Sequence, residues 1–409
     1  MQSEKVDVLV IGSGPAGSVA ASIVHQAGLK VKVVEKEKFP RFVIGESLLP
    51  RTMAALDEAK LLDAVKAKGF QEKFGAKFIR GKEICDFNFS DQFTKGWNWT
   101  YQVPREDFDL TLSNAVQQMG VDVAFETTVT GIEFKGTDSI TTITDKSGNE
   151  SKIEARFIID SSGYGRVIPK LFKLDRPSGL PMRKTLFAHI ADPNRNEYDE
   201  PNRILVIVHE PETWIWVIPF SNGFTSVGFV GFPSFFDKVN GLSPEEALRK
   251  LIKSEPTIAK RFADAKFKFD PRILEGWSVT TDKFFGDGFV LTGNVTEFLD
   301  PVFSSGVTLA VSSSQLAANL AVRQLKGEAV SWKADYQEVM MKGVDTFRTY
   351  VNAWYDGSLQ EVFFTKQQNS EFKNQICSVL AGYVWDQQNP FVKKHDRALK
   401  ALVEVLRMT

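Results

Sequence analysis

Three glycines near the N-terminus have the spacing of a phosphate-binding loop. Gly12, Gly14 and Gly17 form the motif G-x-G-x-x-G directly after the β-branched run VDVLVIG. Such glycines permit a tight turn and let backbone N–H groups approach a pyrophosphate at a helix N-terminus. Glu35 ends the next β-branched run and is placed to accept hydrogen bonds from a ribose diol. The spacing predicts a dinucleotide site for FAD or NAD; the alternative is a glycine-rich turn with a purely structural role.

A pair of tryptophans suggests a second kind of chemistry. Trp214 and Trp216 lie in TWIWVIPF (213–220), and the alternation of a strand places both side chains on the same face. Taken alone, a W-x-W pair in a strand is best explained as apolar core. The alternative is that the two rings guard a reactive group, and the residues by themselves leave both interpretations open.

A serine- and glycine-rich turn has the features of an anion site. The segment FLDPVFSSG (298–306) leads into a helix-like stretch, 307–322. Successive N–H groups at a turn that opens a helix form a nest for anions. The alternative is an ordinary Ser-Gly N-cap with no ligand, which any helix start can carry.

The elements that must hold these residues follow from hydrophobic periodicity. A strand–helix–strand pattern at the N-terminus is typical of a buried parallel sheet. Alternating strands over 182–232 predict an antiparallel sheet, and residues 331–409 are helix-patterned. The expected fold class is α/β (α+β), with a Rossmann-like nucleotide-binding domain, an antiparallel β-sheet domain and a helical C-terminal region.

The overall composition argues against several classes of function. The 409 residues include 50 basic and 51 acidic side chains, so no basic field exists to hold a nucleic acid. No run of about 18 apolar residues is present, and we expect no membrane-spanning segment. The two cysteines, Cys85 and Cys377, and the lack of a signal-peptide pattern favour a cytoplasmic protein. The four histidines lack metal-ligand spacing, so we expect no metal site.

Four further segments extend the glycine-loop pattern. They are FPRFVIGESLLP (39–50), YQVPREDFDLTL (101–112), DSSGYG (160–165) and DGFVLTGNVTEFLDP (287–301). Together they resemble the FAD-dependent monooxygenase superfamily, which has the fold of p-hydroxybenzoate hydroxylase, and the resemblance implies FAD as the cofactor. No second G-x-G-x-x-G follows a later strand, and DSSGYG lacks the Asp-Gly motif with which NADPH-using hydroxylases contact both cofactors. Electrons are therefore expected to arrive as reduced flavin or through a partner reductase.

Three matches narrow the resemblance within that superfamily. TWIWVIPF contains W-x-W-x-I-P, FLDPVFSSG contains F-x-x-P-x-x-S-x-G, and GESLLP is followed by GFQEKFGAKF (69–78). These segments resemble flavin-dependent halogenases, more closely the branch that acts on phenols and pyrroles. In that family reduced flavin and oxygen oxidise a bound halide, chloride or bromide, to hypohalous acid. A lysine then hydrogen-bonds the hypohalous acid or becomes a haloamine.

The halogenase resemblance implies roles for individual positions. Lys73, in the K-F-G-A stretch, matches the lysine, with Lys77 as second choice; the alternative for Lys73 is a surface lysine. A desolvated ammonium has a depressed pKa, and its N–H donors can polarise the halogen-bearing oxygen. The tryptophan pair would be a wall that keeps the organic substrate from the flavin. The expected catalytic set is Lys73, Trp214, Trp216 and Ser304.

The same resemblance implies the positions that contact FAD. They are Gly12, Ser13, Gly14, Pro15, Ala16, Gly17, Glu35, Lys36, Arg41, Gly45, Glu46, Ser47, Arg105, Val129, Gly163, Gly293, Asn294, Pro301, Ser305, Gly306 and Val307. Asn294 stands where the family has an aspartate, so one charge-assisted hydrogen bond to the ribityl chain becomes a neutral one. Pro301 is expected beside the isoalloxazine, and Arg41 along the cofactor.

The expected domain boundaries follow from the positions of these segments. The FAD-binding domain is expected over 1–75, 100–175 and 275–330, the antiparallel-sheet substrate domain over 76–99 and 176–274, and the helical region over 331–409.

We therefore expect a two-component FAD-dependent halogenase for a phenol- or pyrrole-like aromatic substrate, either free or bound to a carrier protein. A separate flavin reductase is the expected partner. One alternative is an aromatic hydroxylase or a geranylgeranyl-reductase-like enzyme on the same scaffold. Such reductases share GESLLP-like and DSSG segments but usually lack W-x-W-x-I-P. The other alternative is a non-catalytic protein that binds flavin.

Overall fold

The computed structural model describes residues 3–367 and 369–408. The strands are β1 (Ser3–Ile11), β2 (Val31–Val34), β3 (Gln71–Lys73), β4 (Gly75–Arg80), β5 (Glu83–Asn88), β6 (Thr100–Gln102), β7 (Asp122–Ala124), β8 (Thr127–Lys135), β9 (Asp138–Asp145), β10 (Glu150–Asp160), β11 (Asp175–Arg176), β12 (Lys184–Ala191), β13 (Leu205–Glu210), β14 (Thr213–Pro219), β15 (Phe224–Gly231), β16 (Arg272–Glu275), β17 (Thr280–Thr281), β18 (Phe285–Gly286) and β19 (Phe289–Leu291). The helices are α1 (Pro15–Gln26), α2 (Pro50–Glu58), α3 (Leu62–Ala67), α4 (Arg105–Gln118), α5 (Val167–Phe172), α6 (Pro244–Ser254), α7 (Pro256–Phe262), α8 (Ser305–Leu325), α9 (Glu338–Tyr355), α10 (Ser358–Phe363), α11 (Ser370–Leu380), α12 (Pro390–Lys393) and α13 (His395–Met408).

The described part of the chain divides into two compact units. Unit 1 comprises Met1–Lys68, Pro104–Gly179 and Val279–Asp345, and unit 2 comprises Gly69–Val103, Leu180–Ser278 and Thr346–Thr409. This division differs from the expected three parts in two places. The segment that carries Lys73 belongs to unit 2. The helical region expected from residue 331 onward is divided: the part up to Asp345 belongs to unit 1, and the part from Thr346 belongs to unit 2.

The main sheet of unit 1 confirms the α/β prediction of a Rossmann-like domain. Strands β7, β2, β1, β10 and β19 lie side by side in this order, and each neighbouring pair is parallel. β18 adds an antiparallel edge, and β8 and β9 extend the sheet from β10 in antiparallel pairs. Val8, Leu9 and Val10 of β1 are fully buried, as a parallel strand covered on both faces requires.

Two helices of unit 1 pack against each other, and both carry buried small residues. α1 lies along α8, and Ala20, Ala21, Ala317 and Ala318 are buried on these helices. Small side chains let the two backbones approach each other. The G-x-G-x-x-G loop at the start of α1 is thereby fixed to the same body as the serine-glycine turn that starts α8.

The main sheet of unit 2 has seven strands in the order β16–β12–β15–β14–β13–β4–β5. Each neighbouring pair is antiparallel except β13 and β4, which are parallel. Ile215 and Val217 of β14 belong to an apolar cluster with Leu248 of α6. Because side chains alternate along a strand, Trp214 and Trp216 face the other side of this sheet.

A short two-stranded ribbon in unit 2 is formed by β3 and β6. Lys73 lies opposite Thr100, and Gln71 lies opposite Gln102. The side chain of Gln102 donates a hydrogen bond from Nε2 to the carbonyl oxygen of Pro219, the last residue of β14. This bond joins the ribbon that carries Lys73 to the strand that carries the tryptophans.

Among the described residues, none of the helices combines the length and the apolar character that crossing a bilayer requires. Within the same ranges, His, Cys, Asp and Glu side chains form no group of three or more that could hold a metal ion.

Candidate active site

The backbone of the glycine loop in unit 1 lies very close to neighbouring backbone carbonyl groups. Gly12 has a φ of +95°, and a Cβ there would lie 2.7 Å from the carbonyl oxygen of Ser161. A Cβ on Gly17 would lie 1.8 Å from the carbonyl oxygen of Gly12. Helix α1 has neither a side-chain cap nor an acidic residue in its first turn, so its first N–H groups are available to an anion. This bare, uncapped loop suits a diphosphate.

Glu35 lies directly after β2 and is buried. One carboxylate oxygen accepts a hydrogen bond from the backbone N–H of Ser13 at 2.9 Å, and the other accepts one from the backbone N–H of Glu37 at 2.9 Å. These bonds fix the carboxylate beside the glycine loop and leave lone pairs for the hydroxyl groups of a ribose. Lys36, in contrast, is exposed and forms an ion pair with Glu37 at 3.7 Å.

A buried carboxylate and two arginines lie beside the loop. Asp109 of α4 accepts a hydrogen bond from Arg41 Nη1 at 2.9 Å, and Arg105 donates to it from Nε at 2.8 Å and from Nη2 at 3.0 Å. Arg105 also donates to the carbonyl oxygen of Gly45 at 3.3 Å. Arg41 Nη2 lies 3.4 Å from the place where a Cβ of Gly14 would be. Two guanidinium groups against one carboxylate leave a net positive charge, which fits the diphosphate of FAD.

A turn before α8 carries the position where the family has an aspartate. Residues 293–295 form a 3-10 turn, and the Asn294 side chain is half-buried. Gly293 has a φ of +58°, and a Cβ there would lie 3.1 Å from Cβ of Ala310 and 3.8 Å from Cβ of Ala16. Arg166 donates to the carbonyl oxygen of Asn294 at 2.7 Å. The turn is therefore fixed at the N-terminal ends of both α1 and α8.

The turn after β10 is held by a buried acid. Asp160 accepts hydrogen bonds from the backbone N–H groups of Ser162 at 3.0 Å and Ile168 at 2.8 Å. Burial raises the pKa of the Asp160 carboxyl. Gly163 follows with a φ of +57° and opens a 3-10 turn. This turn lies against the glycine loop, because the Ser161 N–H donates to the carbonyl oxygen of Ile11 at 2.9 Å.

The serine-glycine turn has the geometry of an uncapped helix start. Ser304 follows the 3-10 turn that begins at Pro301 and has a φ of +57°. Helix α8 then begins without a side-chain cap or an acidic residue in its first turn. A Cβ on Gly306 would lie 2.9 Å from the ring of Phe298. The backbone can therefore pass this close to the ring only because residue 306 has no side chain. Ser305 and Val307 are buried in this turn.

Three other positions that the resemblance implies have different surroundings. Glu46 and Ser47 follow Gly45 and are buried. Val129 is partly buried, and its side chain packs against the apolar cluster of the unit 1 sheet. A contact of Val129 with FAD would therefore have to come from its backbone.

Lys73 in unit 2 is a buried lysine, not a surface one. Its side chain is 3% exposed, and Nζ lies 5.4 Å from the centre of the Phe89 ring. Burial, and then the positive charge of Arg203, lower the pKa of Lys73 to about 7. Arg203 is held by hydrogen bonds to Asp86 and to the carbonyl oxygen of Phe87. The amine is therefore available in both protonation states near neutral pH.

Lys77, the second choice for the catalytic lysine, has a different environment. It lies on β4 and forms an ion pair with Glu200. The Lys77 side chain is 18% exposed, and its amine is held by this carboxylate. Lys73 is therefore the better candidate on geometry.

The tryptophans are both buried and both hydrogen-bonded. Trp214 Nε1 donates to Tyr355 Oη at 3.0 Å, and Trp216 Nε1 donates to Ser226 Oγ at 2.9 Å. The two ring centres are 6.0 Å apart. Trp216 lies over Gly228 on the neighbouring strand, where a Cβ would be 2.2 Å from the indole ring. The rings are thus locked in place, which suits a core as well as a wall.

Sequence reasoning missed several of these residues. Arg203, Gly228 and Tyr355 act through contacts with residues far away in the chain, and nothing in their local sequence marks them. One signal was present for Asp109, because Arg105 precedes it by four residues in a helix and such a spacing favours an ion pair.

The Lys73 amine should titrate near neutral pH in the folded protein. In a 13C NMR titration of lysines labelled at Cε, we expect one resonance with a midpoint near pH 7: ammonium below it and neutral amine above it. The resonance should vanish in Lys73→Met. In Arg203→Gln the midpoint should move to higher pH, since a neighbouring positive charge has been removed. Absence of any lysine midpoint between about pH 6 and 8 would contradict the buried environment, given an ordinary lysine pKa of about 10.4.

Gly228→Ala should disturb the tryptophan face specifically. Its methyl group would overlap the Trp216 indole, and we expect a loss of about 1–3 kcal/mol in the free energy of unfolding together with a change in tryptophan emission. Gly131→Ala is the matched control, because it is also a strand glycine but has no heavy atom near the added methyl. Equal losses of stability in both variants, measured by chemical denaturation, would refute the specific contact.

Comparison with known proteins agrees with the geometry. The family model described as "FAD binding domain" matches residues 5–338. The 1H-pyrrole-2-carbonyl-[peptidyl-carrier protein] chlorinase of Pseudomonas fluorescens is 26% identical over 99% of this chain and 95% of its own length. A flavoprotein/dehydrogenase from Cytophaga hutchinsonii has a crystal structure with a TM-score of 0.97, 63% identity and 99% coverage of both chains. The flavin-dependent brominase Bmp2 has a structure with a TM-score of 0.85 and 25% identity, covering 99% of this chain and 100% of its own.

The predictions of FAD as cofactor and of a halogenase-type oxidoreductase are confirmed by these matches. The chain belongs to the FAD binding domain family, and it is similar over nearly its whole length to flavin-dependent halogenases, which are FAD-dependent oxidoreductases.

Proposed function

We propose that the protein is a two-component halogenase that uses reduced FAD, O2 and chloride or bromide to halogenate an electron-rich aromatic compound. The observation that carries the proposal is Lys73, a buried lysine with a pKa of about 7 at the position of the family's K-F-G-A motif. An amine that exchanges its proton near neutral pH can act on hypohalous acid in either state. A separate flavin reductase supplies the reduced cofactor.

The cofactor residues of unit 1 support the flavin part of the proposal. Bound reduced FAD would supply the oxidising power through its reaction with O2. The glycine loop, Glu35 and the Arg41–Asp109–Arg105 group would hold the dinucleotide, and the neutral amide of Asn294 would face the ribityl chain. The uncapped N-terminus of α8, next to Ser304 and Gly306, offers backbone N–H donors to a halide.

Lys73 can transfer halogen by one of two balanced routes. As a neutral amine, its lone pair attacks the halogen of hypohalous acid; the oxygen–halogen bond breaks, and the departing hydroxide takes a proton from nitrogen to give a haloamine and water. The ring then attacks that halogen, the nitrogen–halogen bond breaks, and the ring proton returns to nitrogen. As an ammonium, Lys73 instead donates a hydrogen bond to the oxygen of hypohalous acid. When the ring attacks the halogen, the oxygen–halogen bond breaks, the ammonium proton passes to the departing hydroxide to give water, and the ring proton returns to the amine.

We infer a phenol- or pyrrole-like substrate, because among aromatic rings the electron-rich ones react most readily with hypohalous acid or a haloamine. The P. fluorescens relative is described as acting on a pyrrole bound to a peptidyl-carrier protein. A carrier-bound substrate is therefore included beside the free one. In this proposal Trp214 and Trp216 limit the access of the organic substrate to the flavin.

A second candidate is an FAD-dependent redox enzyme that does not use halide, such as an aromatic hydroxylase or a double-bond reductase. It is supported by the description of the 63% identical C. hutchinsonii protein as a flavoprotein/dehydrogenase.

Lys73→Ala should abolish halogenation while FAD binding is kept. The assay contains a flavin reductase, FAD, NADH, O2, bromide or chloride and a panel of phenols and pyrroles, and the products are read by mass spectrometry. We expect a loss of at least about 100-fold, the scale of a lost acid–base or nucleophilic group. Lys77→Ala is the matched control and should keep the activity, since Lys77 is already paired with Glu200.

The products decide between the candidates. Hydroxylated product without halide, or reduction of a double bond by the reduced flavin, would favour the second candidate. Flavin-loaded protein that consumes no O2 after reduction would exclude both halogenation and aromatic hydroxylation, because both reactions need O2.

Glu35→Gln should weaken FAD binding by about tenfold or more, because the acceptor for the ribose hydroxyls loses its charge. Glu37→Gln is the matched control: Glu37 is exposed and forms only a surface ion pair, so its effect should be close to zero. Flavin-fluorescence titration of the apoprotein measures both dissociation constants. Equal affinities of the two variants would show that Glu35 does not bind the nucleotide.

A further inference from the structure

Gln102 of β6 is fully buried and uses only half of its carboxamide. Its Nε2 donates to the carbonyl oxygen of Pro219. Because a carbonyl oxygen can only accept, this bond fixes which end of the amide is nitrogen and which is oxygen. The other end, Oε1, is buried and has no hydrogen-bond partner among the described residues.

An unpaired buried acceptor costs free energy, so it calls for a donor. In folded proteins such atoms are paired with protein groups, ordered water or ligands. The donor that completes Gln102 must be small, because the side chain is enclosed on all sides. It must also carry an N–H or O–H group.

The register of the ribbon places Gln102 near Lys73. Lys73 lies directly opposite Thr100, and Gln102 is two residues further along β6 on the same face. Such diagonal neighbours are within reach of each other's long side chains. A buried amine, able to donate to an oxygen, and a buried carbonyl oxygen, able to accept from a hydroxyl, therefore belong to diagonal neighbours on one face of the ribbon.

We propose that Gln102 Oε1 and the Lys73 amine form a subsite for a single small hydroxyl compound, occupied by water at rest and by hypohalous acid during turnover. The proposal rests on the proposed halogenase function. The hydroxyl hydrogen binds to Gln102, the oxygen accepts from Lys73, and the halogen is the end that stays free. Gln102 thus retains the oxidant at the lysine and turns its halogen toward the aromatic ring.

The subsite predicts that Gln102→Met uncouples oxidation from halogenation. The holoenzyme is assayed with a flavin reductase, bromide and a phenol, with and without monochlorodimedone, which traps free hypohalous acid. We expect unchanged oxidation of reduced flavin and a fall of about tenfold in the ratio of brominated phenol to trapped oxidant, the factor for the lost hydrogen bond between the oxidant and Gln102. The substitution also removes the bond to Pro219, so the Lys73 resonance of the variant must keep its wild-type midpoint, which shows that the ribbon is still in place. An unchanged ratio would overturn the proposal.

Gln92 provides a matched control. It too donates from Nε2 to a backbone carbonyl, that of Trp97 at 2.9 Å, and its Oε1 is also buried without a hydrogen-bond partner among the described residues. It precedes β6 and does not belong to the ribbon. Gln92→Met should keep the product ratio of the wild type. An equal fall in both variants would mean a general loss of packing and would also overturn the proposal.

A high-resolution crystal structure of the wild-type, FAD-bound protein gives a readout that does not depend on activity. We expect an ordered water within about 3 Å of both Gln102 Oε1 and Lys73 Nζ. A protein donor on Oε1, or a dry site, would refute the subsite even where Gln102→Met fails to fold. If the wild type yields neither brominated phenol nor trapped oxidant, the proposed function fails, and the water still decides whether the subsite exists.

Discussion

The removal of the Lys73 amine from water is the constraint on which the arrangement of unit 2 depends. An ammonium in an apolar surrounding is costly, and burial therefore shifts the equilibrium toward the neutral amine. Strand β3, which carries Lys73, and strand β6, which pairs with it, have three residues each. So short a pair of strands would not be stable alone. The ribbon needs an external anchor, which the hydrogen bond from Gln102 to the end of β14 supplies. The lysine and the tryptophan strand are therefore positioned together.

Unit 1 meets a different electrostatic requirement. Its task is to receive a charged dinucleotide, and it offers for this backbone N–H groups and guanidinium groups that are held by Asp109. Gly12 and Gly17 mark places where one stretch of backbone passes so close to another that even a methyl group would collide. These contacts make the loop rigid before any ligand arrives, so little ordering remains to oppose binding.

The sequence was sufficient where the chemistry is local. The glycine spacing, the strand before it and the acid after the second strand all lie within one β–α–β unit, and the alternation of TWIWVIPF alone places the two tryptophans on one face. It was insufficient where a contact joins distant segments. The parallel pairing of β13 with β4, the placement of Lys73 in unit 2, and Gly228 beneath Trp216 depend on register between strands that no local pattern specifies. The charge of Arg203 near Lys73 was hidden for the same reason.

Strand β14 also has a consequence for how this protein can change. Ile215 and Val217 pack into the apolar cluster with α6, whereas Trp214 and Trp216 face the opposite side of the same sheet. Substitutions at neighbouring positions along this strand therefore have different structural consequences. The first set is constrained by folding, and under the proposed function the second is constrained by which compounds the aromatic face admits or excludes. Under the same proposal, substitutions confined to alternate positions of β14 can change substrate preference while the apolar packing against α6 is preserved.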